Sequence, residues 1–230
     1  MPDEPLGLTV HALPPFQGVV SDDARRTRVG RLKMIAVLLV CAAPVIASYL
    51  TYYVIRPESR RNYGELVEPQ RPLPSITAAS LEGAPVPLPS LRDQWLLISV
   101  AAGACDAACE KHLYLQRQLR ESLGKDKERL DWIWLVADNT PVRLSLLPAL
   151  AQATVLRVDA QQLGQWLAPA HGRQLSDHLY LVDPLGNWMM RFPASGSPPV
   201  DTAAAKNIKR DLERLLRASA SWDQPGRPAQ

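Results

Sequence analysis

The longest hydrophobic stretch of the 230-residue chain lies near its N-terminus. The sequence 34-MIAVLLVCAAPVIASYLTYYVI-55 contains no charged residue over 22 positions, which corresponds to roughly 33 Å of α-helix at about 1.5 Å per residue. This length is enough to cross the hydrocarbon core of a bilayer. The pattern therefore predicts one membrane-spanning helix over residues 34–55, preceded by an N-terminal tail over residues 1–33.

Basic residues on the two sides of this span predict its orientation. The denser group precedes the span and consists of Arg25, Arg26, Arg28, Arg31 and Lys33. The group after the span consists of Arg56, Arg60, Arg61 and the more distant Arg71. The positive-inside rule favours a cytoplasmic N-terminus and an exported C-terminal part. For a bacterium, this predicts a single-pass protein of the inner membrane with a periplasmic domain. A cleaved signal peptide is the alternative, but the apolar run is too long for such a peptide.

The residues directly after the span predict a linker and a first hairpin. Residues 56–74 contain four prolines and show no periodicity, which is typical of an extended linker. Residues 75–94 consist of short β-prone pieces around a Glu82-Gly83 turn, and such a pattern predicts a hairpin. We therefore expect the folded domain to begin near Ser75.

Two continuous apolar runs predict the centre of the domain. Residues 95-WLLISVAA-102 and 131-DWIWLVAD-138 are typical of strands that are buried on both faces of a sheet. Between them, apolar residues alternate with charged ones at helical spacing from Asp106 to Gly124, which predicts an amphipathic helix. The order strand, helix, strand indicates a parallel connection.

The remaining pattern predicts a mixed sheet. Prolines break residues 139–170 into apolar pieces, which indicates one or two short helices and a strand at 154–159. Residues 178-HLYLVDPLGNWMMRFP-193 predict an antiparallel hairpin, and residues 201–220 a final helix capped by Asp201. Residues 221–230 are expected to be a disordered tail. This layout predicts an α/β fold over residues 75–220, a thioredoxin-like domain with a mixed central sheet flanked by helices.

Composition removes some classes of function. The formal net charge is +3, from 26 basic and 23 acidic residues spread along most of the chain, which argues against a nucleic-acid partner. The sequence contains no glycine-rich phosphate loop and no Ser/His/Asp spacing of a hydrolase. The remaining candidate chemistry lies in the cysteines.

Cys105 and Cys109 stand where the first central strand meets the following helix. Positions i and i+4 lie on one face of a helix, so the two sulfurs can converge. Backbone amides at a helix N-terminus also favour a thiolate there. The third cysteine, Cys41, lies inside the predicted span and is interpreted as a small apolar side chain.

Three interpretations of the cysteine pair remain open from these residues. Two thiolates can hold a soft metal such as Cu(I) or Zn(II) with an added imidazole. The pair can also be a redox couple, with Cys105 as the attacking thiolate and Cys109 as the resolving thiol, although redox pairs usually have two residues between the cysteines and this pair has three. The third interpretation is a structural disulfide or two buried small residues, and an oxidising compartment disfavours free thiols.

Three of the four histidines are candidates for a third ligand. His178 opens the strand that leads into the hairpin, at the sheet edge that faces the cysteine loop in a thioredoxin-like domain, and is our preferred ligand. His171 is the reserve candidate. His112 follows Cys109 by three residues but is expected to point down the helix, and His11 lies across the membrane.

Several of these features together resemble the Sco/SenC family of membrane-anchored cytochrome c oxidase assembly proteins. They are the single anchor, the Cys-x-x-x-Cys of 105-CDAAC-109 after an apolar strand, the hairpin 180-YLVDPLG-186 and a histidine just before it. The family carries prolines in and beside its cysteine motif, which 105-CDAACE-110 lacks, and its histidine lies further ahead of the tyrosine. The chain therefore resembles a divergent member.

The resemblance implies a function in cytochrome c oxidase biogenesis. Family members bind copper through two cysteines and a histidine, which here would be Cys105, Cys109 and His178, and deliver it to oxidase subunit II or reduce the thiols of that site. The implied partners are subunit II or other oxidase assembly factors. The alternatives are a periplasmic thiol-disulfide oxidoreductase for another client and a non-catalytic assembly scaffold.

Overall fold

The computed structural model describes residues 20–55, 62–193, 202–223 and 225–226, and the chain divides into two units, residues 1–60 and 61–230. Several predictions lie outside the described residues: most of the N-terminal tail including His11, the capping role of Asp201, and residues 227–230. The two units are described separately.

The first unit is a long apolar helix. Helix α1 runs over Val20–Leu50 with Pro44 inside it, and a π-helical turn continues it over Thr51–Ile55. Within the apolar stretch Arg25–Tyr53, no residue of the most hydrophobic 18-residue segment is buried. Val40, for example, is 73% exposed. Because its described apolar side chains are exposed, this helix fits a single-pass membrane anchor.

Within its described residues, the second unit contains eight strands and three α-helices, and the sequence pattern predicted the central ones. The strands are β1 Glu65–Pro72, β2 Thr77–Ser80, β3 Pro85–Pro87, β4 Trp95–Ala101, β5 Leu130–Val136, β6 Thr154–Arg157, β7 Leu179–Val182 and β8 Asn187–Phe192. The helices are α2 Ala107–Ser122, α3 Ala160–Trp166 and α4 Thr202–Ser219. Both predicted hairpins are present, as β2–β3 and β7–β8.

All eight strands form one mixed sheet in the order β1-β8-β7-β4-β5-β6-β2-β3. Strands β4, β5 and β6 are parallel, and the other neighbours are antiparallel. The predicted thioredoxin-like fold is confirmed. Because the carboxyl ends of β4 and β5 lie at the same edge, the segments that follow these strands are neighbours in space.

Helices cover the two faces of this sheet with separate hydrophobic cores. One core joins α2 and α4 to alternate residues of the central strands, among them Leu97 of β4. The other joins α3 to the opposite residues, among them Leu96 and Ile98. Strand β4 is thus buried on both faces, as its continuous apolar run predicted.

The predicted linker over residues 56–74 is wrong for its second half. Residues Glu65–Pro72 form β1, which pairs with β8, and Asp211 of α4 accepts hydrogen bonds from the backbone N–H groups of Tyr63 and Gly64 at 2.6 and 2.9 Å. Prolines mislead here because β1 is an edge strand, where a missing N–H on the open side costs nothing.

The predicted disordered tail is also wrong at its start. Asp223 is 7% exposed, and its Oδ2 accepts hydrogen bonds from the Trp95 indole at 2.8 Å and from the Arg129 guanidinium at 2.7 Å. The sequence around Asp223 is polar and does not indicate that this residue pairs with the buried Arg129. The ordered domain therefore reaches Asp223.

Candidate functional site

The corner between β4 and α2 carries both cysteines, with Cys105 just before the helix and Cys109 in its first turn. Asp106 is the N-cap, and its Oδ1 accepts a hydrogen bond from the Cys109 N–H at 2.9 Å. Further along α2, the Gln116 side-chain amide donates to the carbonyl oxygens of Leu97 and Ile133 at 2.7 and 3.1 Å. Gln116 thereby fixes α2 against β4 and β5 and sets the position of the cysteine turn.

Cys105 and Cys109 are joined by a disulfide bond. Their Cα atoms lie 5.1 Å apart, so the predicted convergence of the two sulfurs is confirmed. Cys105 has a φ angle of +44°, in the left-handed region, which costs a residue with a Cβ about 1 to 2 kcal/mol. A hydrogen bond from its N–H to the Ala102 carbonyl, 3.0 Å long, helps to hold the turn.

Both sulfur-bearing residues are buried. Cys105 is 2% exposed and Cys109 is 6% exposed. They belong to a hydrophobic cluster whose other buried members are Leu113, Trp132, Trp134, Val136, Leu150 and Val155. A reductant therefore reaches the disulfide only after some of this packing opens.

Residues 139–150, here called the covering segment, follow β5 and lie against the cysteine turn. The Thr140 hydroxyl accepts a hydrogen bond from the Ala104 N–H at 3.1 Å and donates to Asp138, whose carboxylate accepts from the Gly103 N–H at 2.8 Å. These hydrogen bonds lower the pKa of the Asp138 carboxyl. A Cβ on Gly103 would lie 2.2 Å from the Thr140 carbonyl oxygen, so only glycine permits this approach.

Arg143 ties the covering segment to the cysteine turn at a second place. Its guanidinium donates to the Cys105 carbonyl oxygen at 2.7 Å and forms an ion pair with Glu110 of α2. The Arg143 and Glu110 side chains are both 46% exposed, so this ion pair is weak by itself. The covering segment is thus closed by polar contacts that can break without exposing a buried charge.

His178 does not join the cysteines in a ligand set. Its Nε2 accepts a hydrogen bond from the Ala170 N–H, and its Nδ1 donates to the Phe192 carbonyl, both at 3.1 Å. Burial is the main cause that lowers the pKa of His178, which favours this neutral form. With both ring nitrogens engaged, His178 has no lone pair left for a metal.

The other two histidines that the structure describes offer no replacement ligand. His112 is 8% exposed, burial lowers its pKa, and it faces Ser176 and Asp177 before β7. His171 lies in an exposed turn. Within the ranges that the structure describes, no group of three His, Cys, Asp or Glu side chains could hold a metal ion. The oxidised site therefore does not fit the predicted copper ligation by Cys105, Cys109 and His178.

Sequence reasoning missed the residues that enclose the disulfide. Asp138, Thr140 and Arg143 all follow β5, whose carboxyl end lies beside that of β4. The parallel order of the two strands was the available signal, since polar residues after neighbouring parallel strands meet at one edge. The prolines in residues 139–150 predict irregular structure but not contact with the cysteine turn.

A family model describes part of this chain. The family is the transmembrane-like, thioredoxin-like C-terminal domain, and its model matches residues 95–219, which is more than half of the chain. The chain belongs to this family. The match covers β4 to α4 and includes the disulfide, Arg143 and His178. No curated protein matches the chain.

This thioredoxin-like family member also resembles several solved structures, at low sequence identity. Apo Sco1 from Thermus thermophilus is 18% identical, with 67% of this chain and 97% of that chain covered and a TM-score of 0.49. Copper-bound ScoI from Bradyrhizobium japonicum is 18% identical, with 59% and 96% covered and a TM-score of 0.39. A thiol:disulfide interchange protein from Bacteroides sp. is 14% identical, with 64% and 90% covered and a TM-score of 0.46. Values this low carry no argument about activity.

Proposed function

We propose that this protein is a membrane-anchored thiol-disulfide reductant that acts through Cys105 and Cys109. The observation that carries the proposal is the disulfide at the N-terminus of α2, directly after the central strand β4. The helix N-terminus favours the thiolate form of a cysteine, and the thiolate is the reactive form in exchange. A purely structural disulfide would gain nothing from this position.

The exchange step uses the two cysteines in turn. In the reduced protein, the Cys105 thiolate attacks one sulfur of a client disulfide, which breaks the client S–S bond and releases the other client sulfur as a thiolate. The Cys109 thiolate then attacks Cys105, which forms the Cys105–Cys109 bond and releases the client as a dithiol. Two electrons pass to the client, and an external dithiol must later return them.

The client that we propose is subunit II of cytochrome c oxidase or another oxidase assembly factor. Support comes from the resemblance of 105-CDAAC-109 and 180-YLVDPLG-186 to Sco/SenC motifs, together with the apolar anchor. We further propose that the anchor lies in a bacterial inner membrane with the domain in the periplasm, which the excess of arginine before the span supports.

The reduction potential of the Cys105–Cys109 pair tests the proposed exchange. Full-length protein in detergent, carrying Cys41→Ser so that only this pair titrates, would be equilibrated with defined glutathione or dithiothreitol buffers. We expect a potential of about −180 to −270 mV, as in exchange proteins. A potential below about −300 mV is typical of a structural disulfide and would contradict the proposal.

The Arg143→Ala variant is expected to speed reduction of the disulfide by a small dithiol about 5- to 10-fold. It removes one charged hydrogen bond and an exposed ion pair, together roughly 1 to 1.4 kcal/mol, from the closed state only. Stopped-flow reduction by dithiothreitol measures the rate. Arg217→Ala, which removes an exposed arginine from α4, serves as the control. An unchanged rate in Arg143→Ala would show that the covering segment does not limit access.

A further inference from the structure

A groove lies beside the disulfide, between α2 and the covering segment. Its walls come from Leu113, Tyr114 and Arg117 on α2 and from Leu146 and Ala149 on the covering segment, and its volume is about 160 Å³. Trp132 of β5 also lines the groove. An apolar cavity of about 150 Å³ can hold a benzene ring, so this groove can hold one large apolar side chain.

The groove and the disulfide share walls. Leu113 and Trp132 line the groove and also belong to the hydrophobic cluster around Cys105 and Cys109. A side chain bound in the groove is therefore separated from the disulfide by a single layer of residues. Such a placement makes exchange with a bound client effectively intramolecular.

Two charged side chains line the groove, and only one of them is paired. Glu110 forms an ion pair with Arg143. Arg117 is exposed and forms no ion pair within the part of the chain that the structure describes. The groove thus offers an apolar wall and one unpaired cation to a ligand.

We propose that this groove binds the client polypeptide, as an extended segment with a large apolar residue beside its cysteine and a carboxylate nearby. The apolar side chain enters the groove, and the carboxylate pairs with Arg117. Tyr114, which is 59% exposed, adds apolar contact at the rim. This inference rests on the proposed exchange at Cys105 and Cys109.

Exchange rates with two synthetic peptides test the groove. Full-length reduced protein in nanodiscs would react with the peptides Gly-Phe-Cys-Gly-Asp-Gly and Gly-Ser-Cys-Gly-Lys-Gly, each as its mixed disulfide with glutathione. We expect the phenylalanine peptide to react about tenfold faster, since burial of a phenylalanine ring favours binding by more than 1.4 kcal/mol. Oxidised glutathione, which lacks the large apolar residue, provides the basal rate.

Variants assign the preference to the groove. Ala149→Trp, at an exposed position, should fill the groove and remove the preference, whereas Ala149→Ser should keep it. Arg117→Glu should slow the aspartate peptide about 3- to 10-fold, and Arg217→Glu on α4 should not. All variants should retain the circular dichroism of the wild type, and Arg217→Glu should also retain the basal rate with oxidised glutathione.

Different failures separate the two proposals. Equal rates for the two peptides, or a preference that survives both Ala149→Trp and Arg117→Glu, would overturn the groove and leave the exchange function standing. Absence of any exchange, including with oxidised glutathione, would overturn the exchange function and the groove with it.

Discussion

The Cys109→Ser variant is expected to lose all turnover and to accumulate as a mixed disulfide between Cys105 and its client. The serine hydroxyl cannot attack the Cys105 sulfur, so the second half of the exchange stops after the first bond has formed. Non-reducing gel electrophoresis of cells that express the variant would show the adduct, and mass spectrometry would identify the client. Oxidase subunit II is the expected partner, and another exported protein would favour the alternative oxidoreductase function.

Matched variants control this experiment. Cys105→Ser lacks the proposed attacking sulfur and should form no adduct, and Cys41→Ser should behave as the wild type. Both single variants of the pair lose the disulfide, which closes a loop of five residues and contributes about 2 kcal/mol to the free energy of unfolding. If Cys105→Ser and Cys109→Ser lose the same stability but only Cys109→Ser forms the adduct, the difference comes from the exchange chemistry and not from folding. Equal trapping by the two variants would contradict the assigned order of attack.

The Asp223→Ala variant is expected to lower the free energy of unfolding by about 3 to 5 kcal/mol. It leaves the Arg129 guanidinium buried without its main counter-ion, since Arg129 is 7% exposed at its side chain and donates to Asp223 Oδ2 from Nη2 and Nε at 2.7 and 3.1 Å. The Trp95 indole loses its acceptor as well. Urea unfolding followed by tryptophan fluorescence measures the change.

Two controls show whether the loss comes from the buried charge. The double variant Arg129→Met with Asp223→Leu removes both charges and should recover most of the stability. Asp126→Ala removes the second and half-exposed partner of Arg129 and should cost no more than about 1 kcal/mol. A loss below about 1 kcal/mol in Asp223→Ala would mean that the C-terminal segment contributes little to the fold.

The sequence predicted the centre of the domain well because its pattern is local. Strands β4 and β5 are buried on both faces, so each appears as an unbroken apolar run of about the right length. The β7–β8 hairpin has its turn residues between the two strands, with Gly186 at a φ of +89°. In each case, the residues that determine the element lie inside it.

The prediction failed where a residue depends on a distant partner. Strand β1 contains prolines and is recognisable only through its pairing with β8, more than 100 residues later. His178 carries the same sequence signal whether it binds a metal or a carbonyl oxygen, and only the position of Phe192 decides between them. The enclosure of the disulfide likewise arises from Arg143, which the sequence places 38 residues from Cys105.

The burial of the disulfide under the covering segment has a consequence for the timing of the redox cycle. In the proposed exchange cycle, the oxidised protein meets small thiols as well as its dedicated electron donor. With both cysteines at 6% exposure or less, most of these encounters are unproductive, and the lifetime of the oxidised form depends on how often residues 139–150 open. The protein can thus remain oxidised until a donor that opens this segment arrives, so that its recovery is insulated from the bulk thiol pool.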